Sequence, residues 1–485
     1  MSRLSRPVLD LLCDLMGKVP ARCAYAEARH VAGDSEDLAI RNGQIDDIAS
    51  SSSEGIGVRV RLGGAWGFAA TRDVSAAGAE AALTRAIAIA EAQPAAGDAP
   101  LAAVTAAQGH WESTYEIDPF EVALEEKLGL LFAAEAALRG DPRIVRATAS
   151  ARAWRERKAF ASTEGAACTQ HSVACGAGIA AYAAADGELQ VRSYPLAHGG
   201  DFRAAGWEHV VELALAANAP RVAAEALDLL TAPECPAGIR TVVLHGEQLA
   251  LQTHESIGHA LELDRILLGE ASYAGTSFVR PLDLGSLRYG AEALNVTADA
   301  TLRGGLGSFG WDDEGVPAAR TPLIEQGVLR AALTDRESAA AVGLPASGGC
   351  ARADGFARQP IVRMTNVSVE PGGAGSLADL IADTGDGLYL ETNRSWSIDD
   401  RRLHFQFATE VAREIRGGKI GRLYRNASYA GVTPPFWGSL DAVCGPEEWR
   451  LWGLTNCGKG EPGQVMEVSH GAAPARFRDV QVGVA

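Results

Sequence analysis

The chain has 485 residues, of which 47% are hydrophobic and 22% are charged, and its formal net charge at pH 7 is -17. This composition is ordinary for globular domains and excludes a disordered chain or a coiled coil. The acidic balance provides no general attraction to phosphate backbones, so we expect no nucleic-acid partner.

The first residues are predicted to form an amphipathic helix rather than a signal peptide, because Asp10, Asp14 and Lys18 interrupt the apolar positions. A run of about 18 apolar residues is absent from the sequence, so we expect no membrane span. The eight cysteines are scattered without a C-x-x-C pair or a dense framework. This distribution is typical of a reducing compartment, and we expect a cytoplasmic protein.

The length predicts about three domains at roughly 150 residues each. The first, residues 1–92, alternates apolar and polar side chains around Val58, Val60 and Leu62, as expected for half-buried strands. Strands are predicted at 22–29, 57–62 and 66–71, with a polar turn at 50–53. A helix is predicted at 76–92, and 93–109 has the composition of a linker.

The middle domain, residues 110–232, is predicted to be an α-β-α module. Asp118 and Pro119 suit the start of a helix over 119–139, because proline is favoured at the first helical position. Several strands are expected over 143–198, followed by a helix over 207–230.

Residues 236–485 are predicted to form a mostly β domain with one helix near its start. A strand at 241–244 precedes that helix, which begins at about residue 247, and hairpin turns are expected at 325–327, 384–387 and 416–419. The predicted fold class is therefore α+β, with N-terminal α/β modules followed by a β-rich C-terminal domain.

The strongest local motif is H-E-x-x-x-H, formed by His254, Glu255 and His259. Two imidazoles and a carboxylate are the parts of a hydrolytic zinc site, in which the carboxylate takes a proton from water. The alternative, which we favour less, is a surface histidine and an unrelated buried one. At five positions apart the two histidines lie roughly 140° apart on an α-helix, which is too far to share one ion. We therefore predict a widened turn or a helix end near Gly258.

Two histidines leave the third protein ligand open. The candidates are Glu262, Asp264, His245, His404, His470 and any cysteine. Cys457 lies in a glycine-containing segment near Lys459. This context predicts either an exposed loop in which the lysine favours the thiolate or a turn in which the cysteine has no role, and both interpretations stay open.

Two other motifs are weaker. Gly305, Gly307 and Gly310 match a dinucleotide fingerprint, but the next residues do not open a helix, so we reject a nucleotide site. A loop near the active site and a plain turn remain equally open interpretations. The segment 312–314, Asp-Asp-Glu, lacks the spacing of a calcium loop and is predicted to be a solvated acidic turn.

Several short motifs in order resemble the TldD/PmbA family of metallopeptidases, over about residues 30–480. They are 57–60 with 66–68, 254–264, 312–315, 323–329, 364–366, 386–389, and 457–459 with 463–464. The resemblance implies a zinc-dependent peptidase with His254, His259 and Cys457 as metal ligands and Glu255 as general base. It also implies the motif-bearing, TldD-like subunit type and a homodimer or a heterodimer with a PmbA-like subunit.

The leading functional hypothesis is hydrolysis of unfolded or extended peptides, because a sheet edge can hold an extended chain by strand addition. A second hypothesis is a non-catalytic binding or assembly subunit whose metal is structural. A third is a small-molecule amidase, which would need a closed pocket instead of an open groove.

Overall fold

The N-terminal half of the fold is built on one eight-stranded sheet. The computed structural model describes residues 5–94, 97 and 100–483. The order of the sheet is β3-β2-β1-β5-β6-β4, with β7 and β8 also paired to β6. The strands are β1 Tyr25–Arg41, β2 Gln44–Leu62, β3 Ala65–Thr71, β4 Gln108–Glu112, β5 Ile144–Ser162, β6 Ala167–Ala185, β7 Glu188–Tyr194 and β8 Asp201–Arg203.

The strands from the predicted first and middle domains pair directly, because β1 lies between β2 and β5. The tight turn between β1 and β2 is Asn42-Gly43, and both residues have positive φ angles of 48° and 76°. This conformation matches the twist of antiparallel strands. The polar turn predicted at 50–53 is wrong, because these exposed serines lie within β2 and pair with β1.

Among the described residues, five helices pack on this sheet: α1 Ser5–Met16, α2 Ala76–Ala92, α3 Leu124–Leu138, α4 Trp207–Glu212 and α5 Leu215–Thr231. One apolar core lies under α1 and α2, and a second lies under α3, α4 and α5. The predicted helix at 76–92 is confirmed. The predicted linker at 93–109 includes residues 95, 96, 98 and 99, which lie outside the described residues.

Two helix predictions in the middle region are corrected. The helix predicted from 119 begins at Leu124, because Asp118 accepts the backbone N–H of Phe120 and closes a turn instead. The single helix predicted over 207–230 is two helices, α4 and α5. They are separated at Ala214, which has a left-handed backbone with φ of 46°.

The C-terminal half contains a closed barrel. The strands pair in the order β16-β9-β23-β19-β17, and β17 pairs again with β16 to close the ring, while β18 and β20 flank it. These strands are β9 Gly238–Leu244, β16 Gly387–Ile398, β17 His404–Arg416, β18 Lys419–Tyr424, β19 Ala427–Val432, β20 Leu440–Val443 and β23 Ala475–Val482. The aromatic rings of Phe436 and Phe477 stack in its core at 4.3 Å between centroids.

Shorter elements surround the barrel. The strands are β10 Val296–Asp299, β11 Arg320–Glu325, β12 Val328–Leu329, β13 Ala351–Arg352, β14 Ile361–Val362, β15 Val367–Val369, β21 Arg450–Lys459 and β22 Gln464–Ala472. The helices are α6 Gly246–Thr253, α7 Leu263–Ile266, α8 Arg336–Ala341, α9 Leu377–Thr384 and α10 Thr433–Gly438. Short 3-10 turns lie at His259–Leu261, Pro281–Asp283 and Pro446–Glu448.

The hairpins predicted at 325–327 and 416–419 are confirmed by the pairs β11–β12 and β17–β18. The hairpin predicted at 384–387 is wrong, because α9 ends at Thr384 and the chain turns through Gly385 into β16. The α+β fold class is confirmed, with α/β modules before a mostly β domain. None of the helices in the described part of the chain has the length and apolar character that a membrane crossing requires.

Candidate metal centre

The H-E-x-x-x-H motif lies at the end of α6, where the helix changes its winding. Residues His254–Gly258 form a π-helical turn, and the backbone N–H of His259 donates to the carbonyl of His254. The predicted widened turn is therefore confirmed. It brings the two imidazoles together, with ring centroids 4.7 Å apart and nearly perpendicular planes.

Gly258 permits this geometry for a steric reason. Its φ of -52° is helical, so no left-handed conformation is involved. A Cβ built on Gly258 would lie 2.1 Å from the sulfur of Met364. The absence of a side chain therefore lets the π-helical turn pack directly against the segment before β15.

Cys457 approaches the same point from β21. Its Sγ lies 3.6 Å from His259 Nε2, and one ligand atom from each of His254, His259 and Cys457 lies within 4.8 Å of the others. All three side chains are buried. The exposed loop predicted for Cys457 is wrong, because the residue lies in a strand and is 2% exposed.

The electrostatics around Cys457 favour the thiolate. Burial alone would raise the pKa of its thiol, but His254, His259 and Arg363 lower it well below its usual value. Arg363 also donates to the carbonyl oxygen of Cys457. The neighbouring Lys459 has a different role, since its ammonium binds the Asp264 carboxylate at 2.6 and 2.8 Å.

The donor set fits a zinc ion. Tetrahedral bonds of about 2.1 Å to nitrogen and 2.3 Å to sulfur place those two atoms about 3.6 Å apart, which matches the 3.6 Å between His259 Nε2 and Cys457 Sγ. A thiolate with two imidazoles also suits zinc better than a hard cation that prefers oxygen. In the part of the chain that the structure describes, this is the one group of three convergent ligand side chains.

The other ligand candidates are placed elsewhere. Glu262 accepts from His259 Nδ1 at 2.9 Å, and Asp264 pairs with Lys459. His404 is on the surface beside Asp399, and His245 lies at the start of α6. His470 contacts His254 instead of joining the convergent group.

Glu262 supports the second histidine. A carboxylate on the distal nitrogen fixes the ring so that Nε2 presents its lone pair to the centre. Glu262 is itself fully buried, with Lys459 Nζ at 3.6 Å and Arg265 Nε at 3.9 Å. The spacing of three residues after His259 offered a signal for this contact, but the sequence could not distinguish a ligand from a supporting group.

Glu255 lies next to His254 and is held by two side chains from beyond the motif. Trp396 donates its indole N–H to one carboxylate oxygen at 3.0 Å, and Arg402 donates to the other at 2.5 Å. Both partners come from the β16–β17 region, more than 140 residues along the chain. No local pattern in the sequence identified either residue.

The prediction that the acidic segment 312–314 is a solvated turn is wrong. Asp312, Asp313 and Glu314 are each less than 5% exposed. Lys158 and Arg29 pair with Asp313, and Arg59 pairs with Glu314 at 2.7 Å. The segment is therefore a buried ion-pair network between the two halves of the fold.

The glycines before this segment serve packing. A Cβ on Gly305 would lie 2.5 Å from the side chain of Asn366, and one on Gly307 would lie 2.5 Å from the backbone of Thr365. No helix follows Gly310, since Trp311 instead bridges to Pro317. The helix that a dinucleotide fingerprint requires therefore does not follow these glycines.

Comparison with known sequences gives one consistent result along the chain. Residues 26–90 match the family model described as PmbA/TldA metallopeptidase domain 1, and 117–232 match the central domain. Residues 237–484 match the C-terminal domain of the same metallopeptidase.

Individual relatives agree with these matches. A metalloprotease of Methanothermobacter thermautotrophicus is 30% identical over 98% of both chains. A metalloprotease of Methanocaldococcus jannaschii is 29% identical over 93% of this chain and 95% of its own length. A zinc metalloprotease TldD homolog of Saccharolobus solfataricus is 28% identical over 51% of this chain and 52% of its own length.

The solved structures support the fold. A Thermotoga maritima protein described as a modulator of a DNA gyrase superposes with a TM-score of 0.78 at 17% identity. The superposition covers 99% of this chain and 100% of that one. At this identity, the likeness concerns architecture alone.

Proposed function

Because the chain belongs to the PmbA/TldD family of metallopeptidases, we propose that it is a zinc-dependent peptidase that hydrolyses unfolded or extended peptides. The observation that carries the proposal is the convergence of His254, His259 and Cys457 at one buried point. The name of the Saccharolobus relative, a zinc metalloprotease, supports the choice of metal.

Three protein donors suit a catalytic zinc better than a structural one. Structural zinc usually has four protein ligands, whereas catalytic zinc keeps one position for water or substrate. Zinc held by these donors supplies Lewis acidity toward a peptide carbonyl and a water molecule. The three-residue group in the described part of the chain is consistent with such an open position.

Glu255 is the proposed general base. Its carboxylate accepts a proton from the attacking water and donates it to the amide nitrogen that leaves. The contacts with Trp396 and Arg402 hold the carboxylate in one orientation beside His254. Such positioning reduces the loss of freedom on reaching the transition state.

The proposed substrate is an extended chain. Peptides that add to a sheet edge are recognised mainly through their main-chain hydrogen bonds, which a folded protein does not offer. Cys457 lies on β21, and in the described structure β21 pairs only with β22. Strand edges are therefore present next to the proposed centre.

We also propose that the chain acts as a dimer, either with a second copy or with a PmbA-like subunit, in the cytoplasm. Residues 44–54 of β2 are exposed and lie beyond the part of β2 that pairs with β3. Such an unpaired strand edge is a surface on which a protein partner can dock. Light scattering of the purified chain, alone and with the partner, tests this assembly.

The activity test uses an unfolded protein as substrate and mass spectrometry of the released peptides. Cleavage is expected with zinc, is lost with a chelator and returns when zinc is added back. Glu255→Gln should bind zinc as the wild type does but cleave about 10²–10⁴-fold more slowly. Cleavage at the wild-type rate by Glu255→Gln would exclude Glu255 as the base.

The same experiment separates the two alternative functions. A structural zinc in an assembly subunit would raise the melting temperature without supporting cleavage of any peptide. A small-molecule amidase would hydrolyse short amides and leave the unfolded protein intact. Zinc-dependent cleavage of the unfolded protein contradicts both.

A further inference from the structure

His470 is a buried histidine that contacts the metal centre without joining it. It lies on β22, is 0% exposed, and its ring stands perpendicular to that of His254 at 4.9 Å between centroids. Its Nε2 lies 2.8 Å from His254 Nδ1, and its Nδ1 lies 2.6 Å from the carbonyl oxygen of Val367. Each ring nitrogen of His470 therefore has one defined partner.

These two contacts determine where the protons lie. A carbonyl oxygen only accepts hydrogen bonds, so His470 Nδ1 carries a hydrogen and donates it to Val367. In a neutral His470, Nε2 then has a lone pair and accepts the Nδ1 hydrogen of His254. A neutral His254 that donates from Nδ1 has its own lone pair on Nε2, the nitrogen that remains for a metal ion.

From this chain of hydrogen bonds we infer that His470 is a positioning residue, which holds His254 in the tautomer and ring orientation that binds the metal. The inference rests on the metal site of the proposed function. Without His470, the buried Nδ1 of His254 loses the acceptor of its hydrogen bond. His254 can then adopt the tautomer that carries its hydrogen on Nε2, the nitrogen that would bind the metal. Metal binding would then require a proton shift and a ring adjustment.

The two histidine ligands are thus supported by different acceptors. Glu262, a carboxylate, accepts from His259 Nδ1, whereas a neutral imidazole accepts from His254 Nδ1. Cys457 as a thiolate, Glu262 and Glu255 already bring three negative charges to the buried centre. An uncharged acceptor at His254 fixes the ring without adding another, and buried like charges destabilise one another.

The test compares zinc affinity in the full-length protein, measured by competition with a chromogenic chelator. His470→Phe keeps the ring but removes the acceptor, and zinc affinity should fall roughly 10–100-fold, as for other supporting contacts. His470→Gln restores an acceptor near the position of Nε2 and should recover most of that loss. His209→Phe, at an equally buried histidine elsewhere, should bind zinc as the wild type does.

Melting of the zinc-free proteins checks the fold independently of the metal. If His470→Phe does not fold, His470→Leu replaces it in the same comparison with His470→Gln. Wild-type affinity in the folded apolar variant, or no recovery with glutamine, overturns the inference while leaving the peptidase proposal intact. Absence of zinc binding in the wild-type protein overturns the proposed function and this inference together.

Discussion

The candidate metal centre and the acidic segment 312–314 are both buried clusters of polar side chains, but their neighbours differ. Asp313 and Glu314 are neutralised by Arg29, Lys158 and Arg59. Asp312 accepts three backbone N–H groups, and burial with the nearby Glu314 charge raises the pKa of its carboxyl well above the usual value. Each carboxyl group of the acidic segment thus has hydrogen-bonding or charged partners from the protein itself.

At the candidate metal centre, the potential ligand atoms of His254, His259 and Cys457 face one another instead. The protein's hydrogen bonds engage the opposite side of each histidine, through His470 and Glu262. Buried charges without a protein partner are costly, whereas paired charges are tolerated. The direction of the supporting contacts, more than residue type, therefore distinguishes the proposed metal site from the structural ion network.

The largest effect is expected from breaking the ion network. Arg59→Leu leaves Glu27 and Glu314 buried without their shared guanidinium, and should lower the free energy of unfolding by about 3–5 kcal/mol. Urea unfolding measures the loss. Arg22→Leu, which breaks an exposed pair with Glu91, is the control and should cost no more than about 1 kcal/mol. If both variants lost the same free energy of unfolding, the buried ion pairs of Arg59 would not be what stabilises the contact between the two halves of the fold.

The next largest effect is expected on zinc affinity when the sulfur of Cys457 is removed. Cys457→Ser should lower zinc affinity by roughly 3–4 kcal/mol, because complete zinc sites bind with about 10–16 kcal/mol shared among their ligands. Metal analysis after dialysis measures the retained zinc. Cys444→Ser, at another buried cysteine, should retain it fully. Unchanged zinc in the Cys457 variant removes this sulfur from the site.

A smaller change is expected from the support of His259. Glu262→Gln weakens the acceptor at His259 Nδ1 and should reduce zinc affinity about 10–100-fold. Glu270→Gln removes a buried carboxylate that pairs with Arg265 but does not touch His259, so it serves as the matched control. If both variants lose the same zinc affinity, the removed negative charge is responsible and the hydrogen bond between Glu262 and His259 is not.

The smallest expected effect is on the pH dependence of the melting temperature in acid. Burial opposes ionisation of Asp313, yet Lys158 and Arg29 lower the pKa of its carboxyl below the usual 3.8. A lowered folded-state pKa contributes stability above pH 4 that is lost as the pH falls through the folded value. Asp313→Asn lacks this contribution, so its melting temperature should decline less below pH 4 than that of the wild type. Parallel pH profiles would contradict this account.

The sequence predicted the parts of the molecule that depend on local pattern. The five-residue spacing of His254 and His259 predicted the π-helical turn, and alternation at 58–62 predicted the end of β2. The long hairpin over residues 30–56 was missed. Cys457 was one of several candidate ligands until the family resemblance selected it, and its burial in β21 was missed. Arg59 and Glu314 are 255 positions apart, so no local pattern could show that the acidic segment is neutralised. Trp396 and Arg402 were missed for the same reason.

The most direct test is X-ray absorption at the zinc edge on the full-length protein loaded with one equivalent of zinc. The account predicts one sulfur at about 2.3 Å and two imidazole nitrogens at about 2.0–2.1 Å. The sulfur contribution should disappear in Cys457→Ser. A zinc ion without a sulfur neighbour in the wild type, or with four sulfur and nitrogen ligands from the protein, would contradict an open catalytic centre at His254, His259 and Cys457.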